Sequence, residues 1–232
     1  MRGGYAYTEM RMRFVLALAI LGLLSMIALA QSVTTSRVAL DSRSAGSLES
    51  TLADVVADAM RAAAKTDVAL LNASQLRPTL LPAGPVESAA IVGALVYPDE
   101  HVVVAEITGA KLAAALERGL AIAPKPNKGF LQVSGISYQY DSRRTGNRLV
   151  SVIVGTKPLD PARKYTVAMP ASLAQGALGY FKVFNGLKAK DTGRSLQQVI
   201  ADYLKAHPEI TLKPAEGEPA FRIKDLAPPP AP

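Results

Sequence analysis

The chain has 232 residues, 49% of them hydrophobic but only 6% aromatic, with no tryptophan, no cysteine and a formal net charge of +7. Without cysteine there is no disulfide framework, no thiolate metal site and no lipid-modified N-terminal cysteine, and the core has to be built from Ala, Val, Leu and Ile. The basic residues are scattered along the chain and lack interleaved stacking aromatics, which argues against a nucleic-acid partner.

Arg11 and Arg13 precede an apolar run that starts at Phe14 and reaches Ala30 with few interruptions. Ala28-Leu29-Ala30 before Gln31 is the small-x-small pattern of a signal-peptidase site. A signal peptide is expected over residues 1–30, directing the chain to the periplasm or the exterior. Its apolar run of about 16 residues falls short of the roughly 20 that a bilayer span needs. Membrane contact is therefore expected only if this segment stays uncleaved. Once it is removed, with Arg2, Arg11 and Arg13 against Glu9, the net charge falls to +5.

Gln31 to Gly46 is rich in Ser and Thr and reads as a linker. Ser47 is the expected cap of a helix to Ala64, with Leu48, Leu52, Val55, Val56, Ala59 and Ala63 on one stripe. The stretch Asp67–Pro78 is the most informative in the chain. Asp67 to Leu71 reads as a short buried strand that Asn72 breaks. A small polar loop follows and ends in Arg77, whose planar fork of donors suits carboxylate or phosphate. The competing reading pairs Arg77 with a surface acid.

A short helix is predicted over Ser88–Val96 and a strand over Val102–Ile107. Thr108 then caps a helix that buries Leu112, Ala115, Leu116 and Leu120. Gly129 to Tyr140 reads as one strand with an irregularity at Gly135, and Leu149–Val154 and Tyr165–Met169 as two more. Pro170–Tyr180 reads as a loop. Ser195 and Gln198 give a capping-box start to a helix ending near Ala206. Ala220–Ile223 is the last expected strand, before a disordered Pro-rich tail over residues 227–232. Helices and strands mix without strict alternation, so the expected fold class is α+β, in a single domain over residues 47–226.

Catalytic signals are sparse. His101 and His207 are the only histidines and neither has a second His at ligand spacing. A two-metal hydrolytic site needs several converging His and carboxylate ligands. No metal or other cofactor is expected, and no Gly-x-Ser-x-Gly nucleophile setting occurs.

The ordered series Leu52–Met60, Asp67–Arg77, Glu106-Ile107-Thr108-Gly109, Phe130–Gly135 and Gly176–Tyr180 resembles the C-terminal domain of the 5′-nucleotidase family. In that family this domain binds the nucleotide, while a separate N-terminal domain carries two metal ions and hydrolyses the phosphoric ester. The resemblance covers roughly Leu48 to Phe184. It implies substrate-binding roles for Asn72 and Arg77, with Tyr97 as a weaker third. The family's two glycines before the arginine become Ser74 and Gln75, an expected restriction on close backbone approach. Its two stacking phenylalanines fall at Pro98, beside Tyr97, and at Ser172. Its ribose-binding aspartate falls on Leu178 and its first arginine near Leu48. Phe130 and Tyr180 read as packing residues.

The expected function is an exported, free-standing module, non-catalytic alone. It would be the nucleotide-binding half of a split nucleotidase working with a separate metallophosphatase. The competing expectation is a binding or structural protein that has kept the fold and lost nucleotide recognition.

Overall fold

The computed structural model describes residues 34–214 and 216–227. The signal-peptide expectation and residues 228–232 of the Pro-rich tail lie outside the described residues.

The stretch read as a linker contributes two strands, β1 (Thr34–Ser36) and β2 (Leu40–Asp41). Leu40 is fully buried, and the buried Thr34 hydroxyl donates to Leu204 O at 3.1 Å. A Ser/Thr-rich segment can pack when its hydroxyls find backbone acceptors. Helix α1 (Thr51–Ala64) starts later than expected. Ser50, not Ser47, is the cap: its extended backbone lets Oγ accept from Ala53 N at 3.1 Å. The Ser47 and Leu48 amides are spent on Ser44 O, and Leu48 is 54% exposed rather than part of the buried stripe.

Strand β3 (Val68–Asn72) is buried at all five positions. A 3₁₀ turn, Ala73–Gln75, leads to β4 (Leu80–Leu81), β5 (Gly84–Val86) and α2 (Ser88–Gly93). Next come β6 (His101–Thr108) and α3 (Gly109–Gly119), which Thr108 caps by accepting from Lys111 N at 3.3 Å. Leu112, Ala115, Leu116 and Leu120 are buried, as the spacing predicts.

The single strand expected from Gly129 to Tyr140 is two, β7 (Leu131–Ser134) and β8 (Ile136–Tyr140), in different sheets. Gly135 is the corner between them. Its φ is +73°, and a Cβ there would stand 2.2 Å from Asp67 O, so only glycine can turn the chain here. The chain continues through β9 (Leu149–Val154), β10 (Lys157–Pro158) and β11 (Lys164–Pro170). The expected loop after β11 holds α4 (Ala171–Ala174) and a second 3₁₀ turn, Ala177–Gly179, before α5 (Phe181–Phe184). Strand β12 (Ala189–Ser195) was not expected, because its sequence is mostly polar and holds no large apolar residue. It is the edge of the main sheet, where charge blocks unwanted pairing. Helix α6 (Leu196–Ala206) carries the predicted Ser195–Gln198 capping box. Strands β13 (Glu209–Ile210) and β14 (Ile223–Asp225) complete the elements, the latter a few residues later than expected.

The main sheet has the order β12-β6-β11-β3-β7. β11 runs parallel to β3, and the other neighbours are antiparallel. Having neighbours on both edges and every side chain buried, β3 reads as a continuous apolar run rather than an alternating one. α1 packs on β3 and β7 and against α6. The second sheet, β10-β9-β8-β14, follows the Gly135 corner. This is the α+β single domain that the sequence predicts.

Helix α1 buries an acid. Asp54 is 2% exposed, and its Oδ1 lies 3.6 Å from Arg222 Nε. Burial outweighs the attraction of Arg222, and with the neighbouring Glu49 and Asp58 carboxylates it pushes the Asp54 carboxyl up to about 8. Unfolded, the same group titrates near about 3.9. Stability from this group is therefore full below about pH 4 and is lost as pH rises toward about 8. The half-buried carboxyls of Asp41 and Asp141, held at about 2 chiefly by hydrogen bonds from Arg43 and Arg143, act only below that window. Urea midpoints of the wild type are expected to fall between about pH 5 and pH 8, and Asp54→Asn is expected to flatten that decline. A variant that tracks the wild type across this range contradicts the assignment.

Candidate functional site

The polar loop after β3 lines a cleft of about 690 Å³. Its backbone is held at nearly every residue. Ala73 N donates to Phe130 O and Ser74 N to Lys128 O, both at 2.9 Å, and Arg77 N donates to Ala94 O at 2.8 Å. Gln75 O accepts from Val96 N at 2.8 Å, and Arg77 O accepts from Ser42 Oγ at 2.7 Å. Ser74 and Gln75 lie in a 3₁₀ turn and are not among the positive-φ residues, so this conformation needs no glycine.

Glu100 joins the walls. Its Oε2 accepts from Gln75 Nε2 at 2.6 Å, and its Oε1 accepts from Ser172 N at 2.7 Å. One carboxylate thus connects the loop after β3, the turn before β6 and the start of α4. Hydrogen bonds to an ionised acceptor are short and roughly twice as strong as neutral ones.

The sequence-predicted residues meet here. Asn72, Arg77 and Tyr97 all line the cleft, as do Ser172 and Leu178. Asn72 is 1% exposed; its Nδ2 donates to Ser74 Oγ at 2.6 Å, while its Oδ1 accepts nothing among the described residues. The Oε1 of buried Gln75 is likewise unpartnered. A buried acceptor without a donor costs about 1–3 kcal/mol; both residues line the cleft, but the two oxygens themselves are buried. Among the described residues, the Arg77 side chain is not paired with a surface acid. Its Nη1 donates to Gly93 O at 3.1 Å and to Leu95 O, carbonyls at the end of α2. Those contacts fix the guanidinium and leave its charge uncompensated by a carboxylate. Tyr97 is 57% exposed and offers a free ring face.

Two carried-over positions lie elsewhere. Pro98 does not line the cleft; its carbonyl accepts from Gln197 N at 2.9 Å, at the start of α6. The Leu48 carbonyl accepts from Gln132 Nε2 at 2.7 Å, also away from the cleft. Phe130 and Tyr180 are buried packing residues, and the Tyr180 hydroxyl donates to Gly129 O at 2.6 Å. Sequence reasoning missed Gln75, Glu100 and Lys128 as wall residues. The Gln75–Glu100 contact spans 25 positions and leaves no local signature.

Leu178 occupies its place under strain. Its φ is +57°, between Gly176 at +94° and Gly179 at +82°. A left-handed residue with a Cβ costs about 1–2 kcal/mol. Arg118 holds the loop, its Nη2 donating to Leu178 O at 2.7 Å.

Among the described residues, no group of three or more His, Cys, Asp or Glu could hold a metal ion. His101 Nδ1 sits 2.8 Å from Asp191 Oδ2, and His207 stacks on Tyr203. No helix of the described residues is long and apolar enough to cross a membrane.

With this geometry established, comparison with known proteins gives a consistent result. The family model described as 5′-nucleotidase, C-terminal domain matches residues 29–186, and the chain belongs to that family. It is similar to a snake venom 5′-nucleotidase of Macrovipera lebetinus, 31% identical over 109 residues, covering 43% of this chain and 27% of that protein. It is also similar to an apyrase of Tabanus yao, 30% identical over 122 residues, covering 46% of this chain and 22% of that one. A 5′-nucleotidase precursor from Thermus thermophilus superposes with a TM-score of 0.74 at 30% identity, over 92% of this chain and 43% of the other. The NAD nucleotidase of Haemophilus influenzae shares the fold at 20% identity, with a TM-score of 0.70 over 91% of this chain and 41% of that one. The chain thus spans about a quarter of the curated relatives and less than half of these solved structures.

Arg118→Ala removes the donor that holds Leu178 O. It is expected to cost about 1–3 kcal/mol and to speed hydrogen–deuterium exchange of the Gly176–Tyr180 amides. Unchanged exchange in that loop counts against the pinning role.

Proposed function

We propose that this chain is an exported nucleotide-binding module, non-catalytic alone, that supplies the ligand cleft for hydrolysis by a separate metallophosphatase. The observation that carries the reading is convergence. Asn72 and Arg77, at the two ends of the loop after β3, line one cleft together with Tyr97 and Lys128 from two other segments. Arg77 and Lys128 suit a phosphate, and the exposed Tyr97 ring suits a base face. Family membership and the nucleotidase names of its relatives support the ligand class. The venom origin of one relative supports export.

Binding in this cleft is weak. One exposed ring, Tyr97, stands where two rings would clamp a base, and Ser172 and Leu178 supply neither a ring nor a ribose acceptor. Base–aromatic stacking contributes about 1–3 kcal/mol per base. Losing one such contact weakens affinity by roughly one to two orders of magnitude. A purely structural role is the second reading, and Leu178 favours it by placing an apolar side chain in the cleft.

Calorimetry separates the two. AMP is expected to bind in the millimolar range, and Arg77→Ala to weaken it at least about tenfold. Saturating AMP without binding establishes the structural reading instead. The purified chain with added divalent metal is expected to release no phosphate from AMP, and a metallophosphatase is expected to co-purify with it from native extract. Phosphate release that Arg77→Ala abolishes contradicts the non-catalytic assignment.

A further inference from the structure

A second cavity, about 480 Å³, lies where the C-terminal half of α1, the Gly135 corner, the end of α6 and residues 212–214 and 218–222 come together. Its volume is that of a small-molecule site, and it shares no residue with the cleft around Arg77.

The charges around it are unevenly used. Its acids are satisfied from within. Asp58 accepts from Arg222 Nη1 and Nη2 at 2.8 and 2.9 Å and from Ser134 Oγ at 2.5 Å. Glu49 Oε2 accepts from the Arg222 and Ile223 amides at 2.9 and 2.8 Å. Glu218, also on the wall, has a partner of its own. Two cations are left over. The half-buried Arg61 guanidinium makes no hydrogen bond or ion pair among the described residues. It lies against Gly135, where a Cβ would come within 2.9 Å of its Nη1. The exposed Lys213 ammonium at the rim is equally unpaired among them. The rest of the wall sets three rings beside the polar side chains of Thr66, Ser134 and Ser137. Tyr203 and His207 stack with centroids 4.0 Å apart, and Phe221 also lines the space.

A guanidinium held part-way out of water without a counter-ion favours an oxyanion, which its fork can grip in two places. We propose that this cavity binds a small molecule carrying a phosphate or carboxylate on a flat apolar body. Arg61 anchors the oxyanion, Lys213 assists at the rim, and the Tyr203–His207 stack and Phe221 hold the flat part. This site is independent of the nucleotide reading.

Phenyl phosphate, benzoate and inorganic phosphate, titrated separately into the full-length protein and followed by amide NMR, test it. The first two are expected to move the Gly135 and Phe221 resonances saturably, and their relative affinities identify the preferred oxyanion. Inorganic phosphate, with no flat body, is expected to bind more weakly than phenyl phosphate. Arg61→Gln is expected to weaken binding at least about tenfold, Lys213→Gln by a smaller factor, and Arg77→Ala not at all. The proposal is overturned if neither aromatic anion shifts those resonances, if Arg61→Gln leaves the affinity unchanged, or if Arg77→Ala removes it. Should Arg61→Gln fail to fold, Lys213→Gln on its exposed segment decides, and unchanged affinity there overturns the proposal.

Discussion

The carboxylate of Glu100 holds the cleft together. It receives the Gln75 amide and the Ser172 backbone amide at once. The backbone beside it is fixed too, because the Glu100 carbonyl accepts from Leu196 N at 2.9 Å at the start of α6. The acid therefore stands on a point set by the main sheet and a helix, not on a free loop. Remove it and buried Gln75 keeps neither amide partner, while the start of α4 loses its link to the opposite wall. An acceptor or donor orphaned in a buried place costs more than the bond itself contributes.

What Glu100 organises depends on β3 being where it is. That strand lies between β11 and β7 with every side chain buried, so its end, and with it Asn72, is fixed in the fold. Gly135 does the corresponding work on the far side of β7. It turns the chain so sharply that β7 stays in the main sheet and β8 starts another. The turn also leaves room for the Arg61 side chain beside the second cavity. The two cavities are thus consequences of one architecture. The first lies where the loop after β3 meets its neighbours, and the second where the chain changes sheets.

Local chemistry was legible in the sequence, and contacts between distant segments were not. The Thr108 cap and the Ser195–Gln198 box read correctly because all their partners lie within three residues. The β3–loop–Arg77 series was legible to within one residue: the strand runs Val68–Asn72 rather than Asp67–Leu71, so Asn72 closes the strand instead of breaking it. Ser47 misled because two serines compete for the cap, and the winner is decided by a turn on Ser44 and by Asp41 O, which accepts from Ser50 Oγ at 2.6 Å. β1 and β2 hid in a polar stretch whose hydroxyls are satisfied only after folding, and β12 hid because edge strands are selected to look unlike strands. At the cleft, Asn72 and Arg77 could be named in advance, whereas Glu100 could not. Its role exists only once β3, β6 and β11 bring three loops to one place. The strain at Leu178 was equally invisible, since nothing in a leucine announces a left-handed backbone.

The most direct measurement is a double-mutant cycle on Gln75→Ala and Glu100→Ala, read by chemical denaturation. If Glu100 holds the cleft as described, the two substitutions are strongly coupled, with an interaction energy of about 1–3 kcal/mol. Effects that add to within about 0.3–0.5 kcal/mol would mean that the carboxylate does not bind these walls together, and the account of the cleft would fail.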